Sequence, residues 1–288
     1  MRIGYYCKQC NRKKSVKSIL YATSQKTGFY NDSSFWGKIK DRFRLKLKEE
    51  IFIKELKLEI KNVKFPPNIN IESYNSNILR AKKISGIRDM ELAPKVYRYL
   101  DYNLYNKFQR ELMAFSIIKS LKVILRIKKK SIRHSCIVVY DASEKILFDT
   151  ICYLAREAKD IILLSKDIMK TNGIGQYIIA NYGATPIITS DMKFSFQSAD
   201  FVISSKNVTV KSGAYVWYID NSYIPSNRGV IVNDVSYKVP WNCKYNGVSF
   251  ELLGSILCQM NEKNVEKSLS YNGIFLDKIK FNEDMLVL

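Results

Sequence analysis

Cysteine and histidine are the residue types in this sequence from which a metal or redox site could be built. Cys7 and Cys10 have the C-x-x-C spacing of zinc sites and of thiol redox pairs. A structural zinc ion needs four ligands, and the further candidates are His134, which is the only histidine, and Cys136. We therefore predict no metal site and interpret Cys7 and Cys10 as ordinary cysteines, with a zinc knuckle or a redox pair as alternatives.

Motifs for the common catalytic machineries are absent from the sequence. A serine triad would have to use His134, and there is no G-x-S-x-G elbow. Neither a G-x-x-x-x-G-K-[ST] phosphate loop nor an H-E-x-x-H helix is present. Gly173 and Gly175 form a lone G-x-G, which we interpret as a turn that begins a helix. The sequence alone thus names no catalytic residue.

Small polar residues follow the short apolar runs in the second half of the chain. They are Asp141, Ser143, Ser165, Thr189, Ser190, Ser204, Ser205, Asp220 and Asn221. In open parallel sheets the carboxyl ends of the strands form one rim, and ligands bind outside it. Residues of this kind line nucleotide-sized crevices, although polar residues also end ordinary strands. We therefore predict that a small-molecule or nucleotide ligand binds at this rim.

Six apolar runs supply the strands that must position this rim. They span residues 136–140, 160–165, 185–189, 201–204, 214–219 and 229–232. Continuous apolar runs of this length are typical of strands buried on both faces. Apolar residues at helical spacing over 144–158 and 174–182 predict helices between them. This alternation indicates an α/β fold with a doubly wound, mostly parallel, Rossmann-like sheet.

Three segments of the second half carry a resemblance to a known family. They are Ala199–Ile203 (ADFVI), the stretch from Gly213 to Asp220, and the segment from Asp234 to Pro240. Together with the order of the runs, they resemble the cofactor domain of two-domain dehydrogenases of the shikimate and amino-acid type, over about residues 134–265. The resemblance implies NAD or NADP as cofactor. It implies contacts from Asp141, Ala142, Ser143, Lys145, Ser165, Lys166, Ser204, Ser205 and Asp220.

The chain departs from these families at the phosphate-binding turn. Dinucleotide-binding turns carry G-x-G-x-x-G, but residues 141–146 contain no glycine. Asp141 and Glu144 place negative charge where a pyrophosphate should lie, against the preference of a helix N-terminus for anions. Ser143 and Lys145 remain as candidate ligands for a single phosphate. The sequence thus predicts a degenerate phosphate turn.

The second strand ends in Ser165-Lys166-Asp167, which allows two interpretations. Ser165 and Lys166 would suit the 2′-phosphate of NADP, and Asp167 would suit a ribose hydroxyl. In the alternative interpretation, Asp167 caps the following helix and Lys166 is solvated.

Charge divides the chain into two unequal halves. The formal net charge of +20 lies in residues 1–135, because the remainder carries nearly equal numbers of acidic and basic residues. Such asymmetry indicates a basic region that meets an anionic partner, although Lys-rich coding bias is an alternative. We predict a basic α+β domain over residues 1–133 and a Rossmann-like α/β domain over residues 134–288.

The first half contains fewer regular patterns than the second. We predict a basic amphipathic helix over residues 35–48, a strand over 56–60, a loop from Pro66 to Asn77 and a helix over 104–127. The last helix runs into a cationic cluster that could contact phosphate or an anionic membrane surface. Tyrosines lie among the basic residues, as in single-strand nucleic-acid grooves. They are Tyr5, Tyr6, Tyr21, Tyr97, Tyr99, Tyr102 and Tyr105.

Composition narrows the class of protein. No run of about 18 uncharged apolar residues is present, so we expect no membrane-spanning helix. The N-terminus lacks an export signal, and we expect a cytoplasmic protein with six reduced cysteines. The leading hypothesis is a dehydrogenase-like, nucleotide-cofactor-binding protein, either a divergent NAD(P)-type oxidoreductase or an inactive ligand-sensing relative. The alternative is a module that binds nucleic acid or another polyanion through residues 1–133, with the α/β domain as scaffold.

Overall fold

A computed structural model describes residues 17–86, 90–210, 213–223, 230–282 and 284–285. Cys7 and Cys10, together with Tyr5 and Tyr6, lie outside the described residues, and the interpretation of the C-x-x-C pair stays a prediction. No described helix is long and apolar enough to cross a membrane.

The first sheet has four strands: β1 (Lys17–Thr23), β2 (Lys46–Ile53), β3 (Leu58–Lys64) and β4 (Glu91–Lys95). Their order is β2-β3-β1-β4, and β1 pairs in parallel with both β3 and β4. β2 and β3 form an antiparallel hairpin. Helices α1 (Phe35–Arg44) and α2 (Ile71–Ser85) connect the strands. The sheet is therefore mixed, with parallel strands at its centre and one antiparallel edge.

Two predictions for this region need correction. The basic helix ends at Arg44, because Leu45 is already extended and Lys46 begins β2. The loop predicted as far as Asn77 is wrong, since the Asn70 side chain accepts hydrogen bonds from the Glu72 and Ser73 amides and so caps α2. Asparagine favours turns when it is considered by itself, but as an N-cap it starts a helix. Burial of one face of α2 then holds the helix on the sheet.

A short helix α3 (Arg98–Asp101) and a long helix α4 (Lys107–Ile127) lead to the second half. α4 begins with a capping box, in which Asn106 and Gln109 exchange side-chain-to-backbone hydrogen bonds. The predicted helix over residues 104–127 is thus confirmed, with its start three residues later.

The second sheet is parallel throughout and has six strands. They are β5 (Cys136–Tyr140), β6 (Asp160–Leu164), β7 (Ile187–Thr189), β8 (Phe201–Ser204), β9 (Tyr215–Tyr218) and β10 (Ile231–Val232). Their order is β10-β9-β8-β5-β6-β7, so the chain winds outward from β5 in both directions. This is the strand order of a doubly wound Rossmann-like fold, and the predicted fold class is confirmed.

Helices α5 (Phe148–Ala155), α6 (Ile168–Tyr182) and α7 (Met192–Gln197) alternate with these strands. The interpretation of Gly173 and Gly175 as a helix-initiating turn is wrong, because both lie inside α6. α6 begins earlier because the Asp167 carboxylate accepts a hydrogen bond from the Lys170 amide and so supplies the N-cap.

The last part of the chain builds a third, antiparallel sheet. Its strands are β11 (Asp234–Lys238), β12 (Val248–Ser249), β13 (Phe275–Phe281) and β14 (Asp284–Met285), in the order β12-β11-β13-β14. Helices α8 (Phe250–Gln259) and α9 (Val265–Tyr271) lie between β12 and β13. α8 packs on α4, β4 and β1, so the end of the chain contacts the first sheet. The division at residue 133 stays a prediction.

Candidate functional site

The rim predicted from the sequence lies at the carboxyl ends of β5 and β8, the adjacent central strands. From β5 the chain continues to β6 and β7 on one side, whereas β8, β9 and β10 extend the other side. This is the switch point at which doubly wound folds bind ligands. The turn after β5, residues 141–144, faces the segment after β8, residues 205–206, through a direct ion pair. The structure therefore brings together the two segments that the sequence predicted as neighbours.

Ser143 and Ser165 are brought together but are largely occupied by each other. The Ser165 hydroxyl donates to the Ser143 hydroxyl at 3.0 Å and accepts from the Asp167 amide at 3.1 Å. Both serines are buried, as is Ala142. Asp141 adopts a φ of 63°, in the left-handed region that favours glycine. The turn is thus held by side-chain hydrogen bonds in place of glycines.

Lys206 is the functional candidate that the sequence analysis missed. Its Nζ lies 2.5 Å from Asp141 Oδ2 and 4.0 Å from Glu144 Oε1. Hydrogen bonding to Asp141 raises the pKa of Lys206, so its positive charge persists at neutral pH. Ser204, at the end of β8, accepts the Lys206 amide at 3.1 Å. Ser205 is buried, and its hydroxyl has no hydrogen-bond partner among the described residues.

Two tyrosines at the start of α3, the N-cap Tyr97 and Tyr99, contact this rim from the side of the first sheet. The Tyr97 hydroxyl donates to Asp220 Oδ2 at 3.5 Å, and burial together with Asp220 raises the pKa of Tyr97 to about 12. Burial and the neighbouring Glu144 raise the pKa of Tyr99. The two rings stack with centroids 6.3 Å apart. Both phenols are therefore protonated donors at neutral pH.

The other residues that were predicted to contact a cofactor do not form one cluster. Lys145 and Lys166 are exposed, and Asp167 caps α6, which confirms the capping interpretation. Asp220 uses Oδ1 to accept the Ser222 amide and hydroxyl. Asn221 accepts the Arg98 amide at 2.9 Å, so it links the rim to α3.

In this arrangement the turn does not fit a dinucleotide pyrophosphate. Asp141 and Glu144 place two carboxylates at the turn, and Lys206 already occupies the space between them. The helix that should present its amides to phosphate starts only at Phe148, after a 3-10 turn over Lys145–Leu147, and has no side-chain cap. A pyrophosphate would need Lys206 to move and would then face two carboxylates at close range.

A second site lies at the carboxyl ends of β1 and β4, and we call it the lysine pocket. It is a cavity of about 250 Å³. Its lining includes Tyr21, Lys26, Lys95, Ser236, Gly247 and Ser249. Nothing in the sequence pattern pointed to it, because its lining comes from strands more than 100 residues apart in the chain, β1 and β4 on one side and β11 and β12 on the other.

Lys26 and Lys95 connect the lysine pocket to a buried ionic network centred on Asp234. Asp234 Oδ2 lies 3.2 Å from Lys26 Nζ and 2.9 Å from Lys95 Nζ, and Oδ1 lies 2.9 Å from Arg98 Nη2. Arg98 also lies 3.4 Å from Glu251 Oε1. Burial alone would raise the pKa of Asp234, but Lys95, Arg98 and Lys26 hold it well below its usual range. Burial would lower the pKa of Lys95, but Asp234, Tyr21 and Glu251 together outweigh burial and raise that pKa.

Lys95 and Ser236 retain hydrogen-bonding capacity at this pocket. An ammonium carries three N–H donors, and Lys95 uses one of them on Asp234. The Ser236 hydroxyl is buried and has no hydrogen-bond partner among the residues that the structure describes. Buried polar groups of this kind cost free energy unless a ligand or water satisfies them. The pocket can therefore hold a small molecule that accepts hydrogen bonds and carries negative charge.

No protein-family model matches the chain, and no curated protein matches it. Among solved structures, the chain is similar to ligand-free 5-ketofructose reductase of Gluconobacter sp. strain CHM43, with 11% identity and a TM-score of 0.38, over 91% of this chain and 96% of that chain. It is also similar to a shikimate 5-dehydrogenase-like protein, with 8% identity and a TM-score of 0.35, over 90% and 97%. Both likenesses are distant, and neither assigns an activity to this chain.

Proposed function

We propose that this chain is a ligand-binding protein with the architecture of a two-domain dehydrogenase, and that it binds a small hydroxylated anion in the lysine pocket. It corresponds to the inactive, ligand-sensing alternative of the sequence hypothesis. One observation carries the proposal: the same cavity is lined by Lys95, whose ammonium is protonated, and by Ser236, whose buried hydroxyl has no hydrogen-bond partner among the described residues.

The chemistry of the lining defines the class of ligand. Lys95 offers charged N–H donors, which form the stronger hydrogen bonds with carboxylate or phosphate oxygens. Tyr21 and Ser249, whose hydroxyls lie 3.4 Å apart, offer neutral groups for ligand hydroxyls. The volume is slightly below the range of about 300–1,000 Å³ that is usual for ligand sites. A carboxylate or phosphate of metabolite size fits this combination.

The charge at the phosphate turn argues against dinucleotide-dependent hydride transfer. Lys206 is ion-paired with Asp141, so the cation nearest to the switch point is not available to a pyrophosphate. In the divergent-oxidoreductase alternative, Lys206 would leave Asp141 and bind phosphate, and Ser143 and Ser205 would supply hydroxyls. The strand order of the second sheet supports that alternative, whereas the two carboxylates of the turn oppose it.

Thermal unfolding in the presence of ligands tests the proposal. The panel is inorganic phosphate, hydroxylated mono- and dicarboxylates, sugar phosphates, NAD and NADP, all at equal ionic strength. A ligand at 100 times its dissociation constant stabilises the folded state by about 2.7 kcal/mol. We expect this stabilisation from at least one small anion and none from NAD or NADP.

Two variants show whether an anion that stabilises the protein binds in the lysine pocket. Lys95→Met removes the ammonium and leaves Asp234 paired with Arg98, so we expect the effect of the anion to disappear. Lys170→Met removes the same charge from an exposed position on α6 and should leave the effect unchanged. Stabilisation that survives Lys95→Met, or a response to NAD or NADP, would contradict the proposal.

A further inference from the structure

Helix α1 turns its apolar side chains away from the protein. Phe35, Trp36 and Phe43 are 72%, 77% and 74% exposed, whereas Gly37 and Asp41 are buried. A helix on the surface of a globular protein normally buries its apolar stripe. The opposite orientation is therefore a feature that requires an explanation, because contiguous exposed apolar surface marks interaction sites.

The polar side of α1 is what attaches it to the protein. The Asp41 carboxylate accepts hydrogen bonds from the Tyr30 hydroxyl at 2.5 Å and from the Asn68 and Asn77 amides at 2.9 and 3.2 Å. Gly37 packs against Asp32, where a Cβ atom would lie 2.5 Å from the carboxyl group. These contacts hold α1 in an orientation in which Phe35, Trp36 and Phe43 face outward.

The outward surface of α1 combines apolar and cationic residues in an ordered way. At about 100° per residue, Phe35, Trp36, Ile39 and Phe43 fall within one arc of roughly 100°. We call these four residues the aromatic face.

Four cations flank the aromatic face. Lys38 and Arg42 lie along one edge, and Lys40 and Arg44 lie along the other. None of these four cations lies within ion-pair distance of a carboxylate in the part of the chain that the structure describes.

A cationic cavity adjoins the aromatic face at Phe43. It has a volume of about 250 Å³, and Arg44, Lys46 and Lys64 line it together with Phe65, Pro66 and Pro67. Among the described residues, none that lines this cavity carries a carboxylate. A cavity of this size and charge can receive a phosphate group next to Phe43.

We propose that the aromatic face of α1 docks onto a lipid bilayer that contains anionic phospholipids, with α1 parallel to the surface. Aromatic side chains would enter the boundary between headgroups and acyl chains, and the flanking cations would contact lipid phosphates. A second copy of the chain is a poorer occupant, because it would bring the same cations together. Residues 1–16 are also a poorer occupant, because they contain five basic residues and no acidic one.

Binding of the full-length protein to vesicles tests this proposal. Phosphatidylcholine vesicles with 30% phosphatidylglycerol are compared with pure phosphatidylcholine vesicles by flotation. We expect binding to the anionic vesicles and at least tenfold weaker binding to the neutral ones. Trp36 provides a direct signal, because Trp217 and Trp241 are buried: its emission should shift to the blue, and brominated lipids should quench it.

Surface variants then locate the contact. Trp36→Ser with Phe43→Ser should abolish binding, whereas Met169→Ser with Tyr271→Ser, at residues that are 83% and 88% exposed elsewhere, should not change it. Lys38→Gln with Arg42→Gln should weaken binding by about fivefold for each charge removed. The control Lys107→Gln with Lys170→Gln, which removes two exposed charges elsewhere, should weaken it by less than twofold.

Several results would overturn the proposal. They are failure to bind anionic vesicles, equal binding to neutral vesicles, and binding that survives the loss of Trp36 and Phe43. Displacement from vesicles by inorganic phosphate at constant ionic strength would identify a site for a soluble anion instead. Displacement by a single-stranded oligonucleotide would identify a nucleic-acid site.

Discussion

Buried charged residues next to the lysine pocket contribute strongly to the stability of the folded protein. Arg98 is 2% exposed and lies between Asp234 and Glu251, with the rings of Trp217 and Phe250 at 5.6 and 4.9 Å from its guanidinium carbon. Its guanidinium also donates to the Asn233 carbonyl. A buried carboxylate that loses its partner retains the full cost of desolvation.

Replacement of Arg98 should therefore be severe. We expect Arg98→Met to lower the free energy of unfolding by about 3–5 kcal/mol, because the buried Glu251 would lose its ion-pair partner. Lys107→Met is the control: Lys107 is 85% exposed and lies 3.7 Å from Glu111, so its loss should cost less than about 0.5 kcal/mol. Urea unfolding measures both variants. Equal stabilities for the two would refute the structural importance of the network.

Asp101 should make the free energy of unfolding depend on pH in the direction opposite to that of most carboxylates in folded proteins. Burial raises the pKa of Asp101 to about 7, although the Tyr74 hydroxyl and the Val96 amide donate hydrogen bonds to its carboxylate. Its ordinary pKa is 3.8. Between these two values the folded state holds a proton that the unfolded state releases, so the contribution of Asp101 to stability falls as pH rises.

The difference in stability between the wild type and Asp101→Asn isolates this effect. We expect that difference to fall by roughly 4 kcal/mol at most between pH 4 and pH 7, since asparagine does not titrate. Asp160→Asn, at an exposed position, should give a curve parallel to that of the wild type. Urea unfolding at several pH values provides the comparison. Parallel curves for Asp101→Asn would show that Asp101 ionises normally.

At the scale of elements, the contact between α4 and α8 joins the first and last parts of the fold. Gln109 Nε2 of α4 lies 2.9 Å from both the Leu92 and the Glu251 carbonyl oxygen and 2.8 Å from the Ser255 hydroxyl, and its two N–H groups serve these acceptors. Gly254 of α8 allows this approach, because a Cβ atom there would lie 2.7 Å from Gln109 Cγ and 3.0 Å from its Cα. The two helices are thus in contact at a position where only glycine fits.

Two Gly→Ala variants should change stability in opposite directions. Gly254→Ala would push α8 away from α4, and we expect a loss of about 1–3 kcal/mol. Gly173→Ala in α6 meets no neighbouring atom within 4 Å, so the higher helix propensity of alanine should stabilise the protein by about 0.5–1 kcal/mol. Thermal and urea unfolding would reveal the signs. A stabilising Gly254→Ala would mean that the helices are farther apart.

At the scale of the whole molecule, the end of the chain is not independent of its beginning. α8 packs on β4 and β1 of the first sheet, and one buried apolar cluster includes residues from β1 and from α8. The predicted boundary at residue 133 would therefore cut through a packed surface. A boundary in the sequence need not separate two domains in space, because a helix near the end of the chain, such as α8, can pack on the first sheet.

A fragment of residues 134–288 tests that boundary. Without β1, β4 and α4, the apolar face of α8 would be exposed, and we expect the fragment to bind the dye ANS and to unfold without a sharp transition. The full-length chain under the same conditions is the control. Cooperative unfolding of the fragment would support two independently stable domains divided at residue 133.

The local predictions that succeeded rest on burial patterns that the sequence carries directly. The run Cys136–Tyr140 is continuously apolar because β5 is covered on both faces, and the same holds for residues 201–203 of β8. Of the two interpretations of Asp167 that the sequence allowed, the structure shows the cap, which depends only on neighbouring residues. Asn70 showed the limit of such reasoning, because asparagine is common both in loops and at helix starts.

The amino-acid sequence by itself determined the doubly wound sheet, the absence of glycine from its phosphate turn and the concentration of positive charge in the first half. Only the tertiary structure decided that Lys206 pairs with Asp141, that Lys95 meets Asp234, and that α1 faces outward. The physical reason is the distance along the chain over which each kind of interaction acts. Hydrophobic periodicity and capping act over a few residues, whereas an ion pair joins groups whose separation along the chain leaves no trace in local pattern.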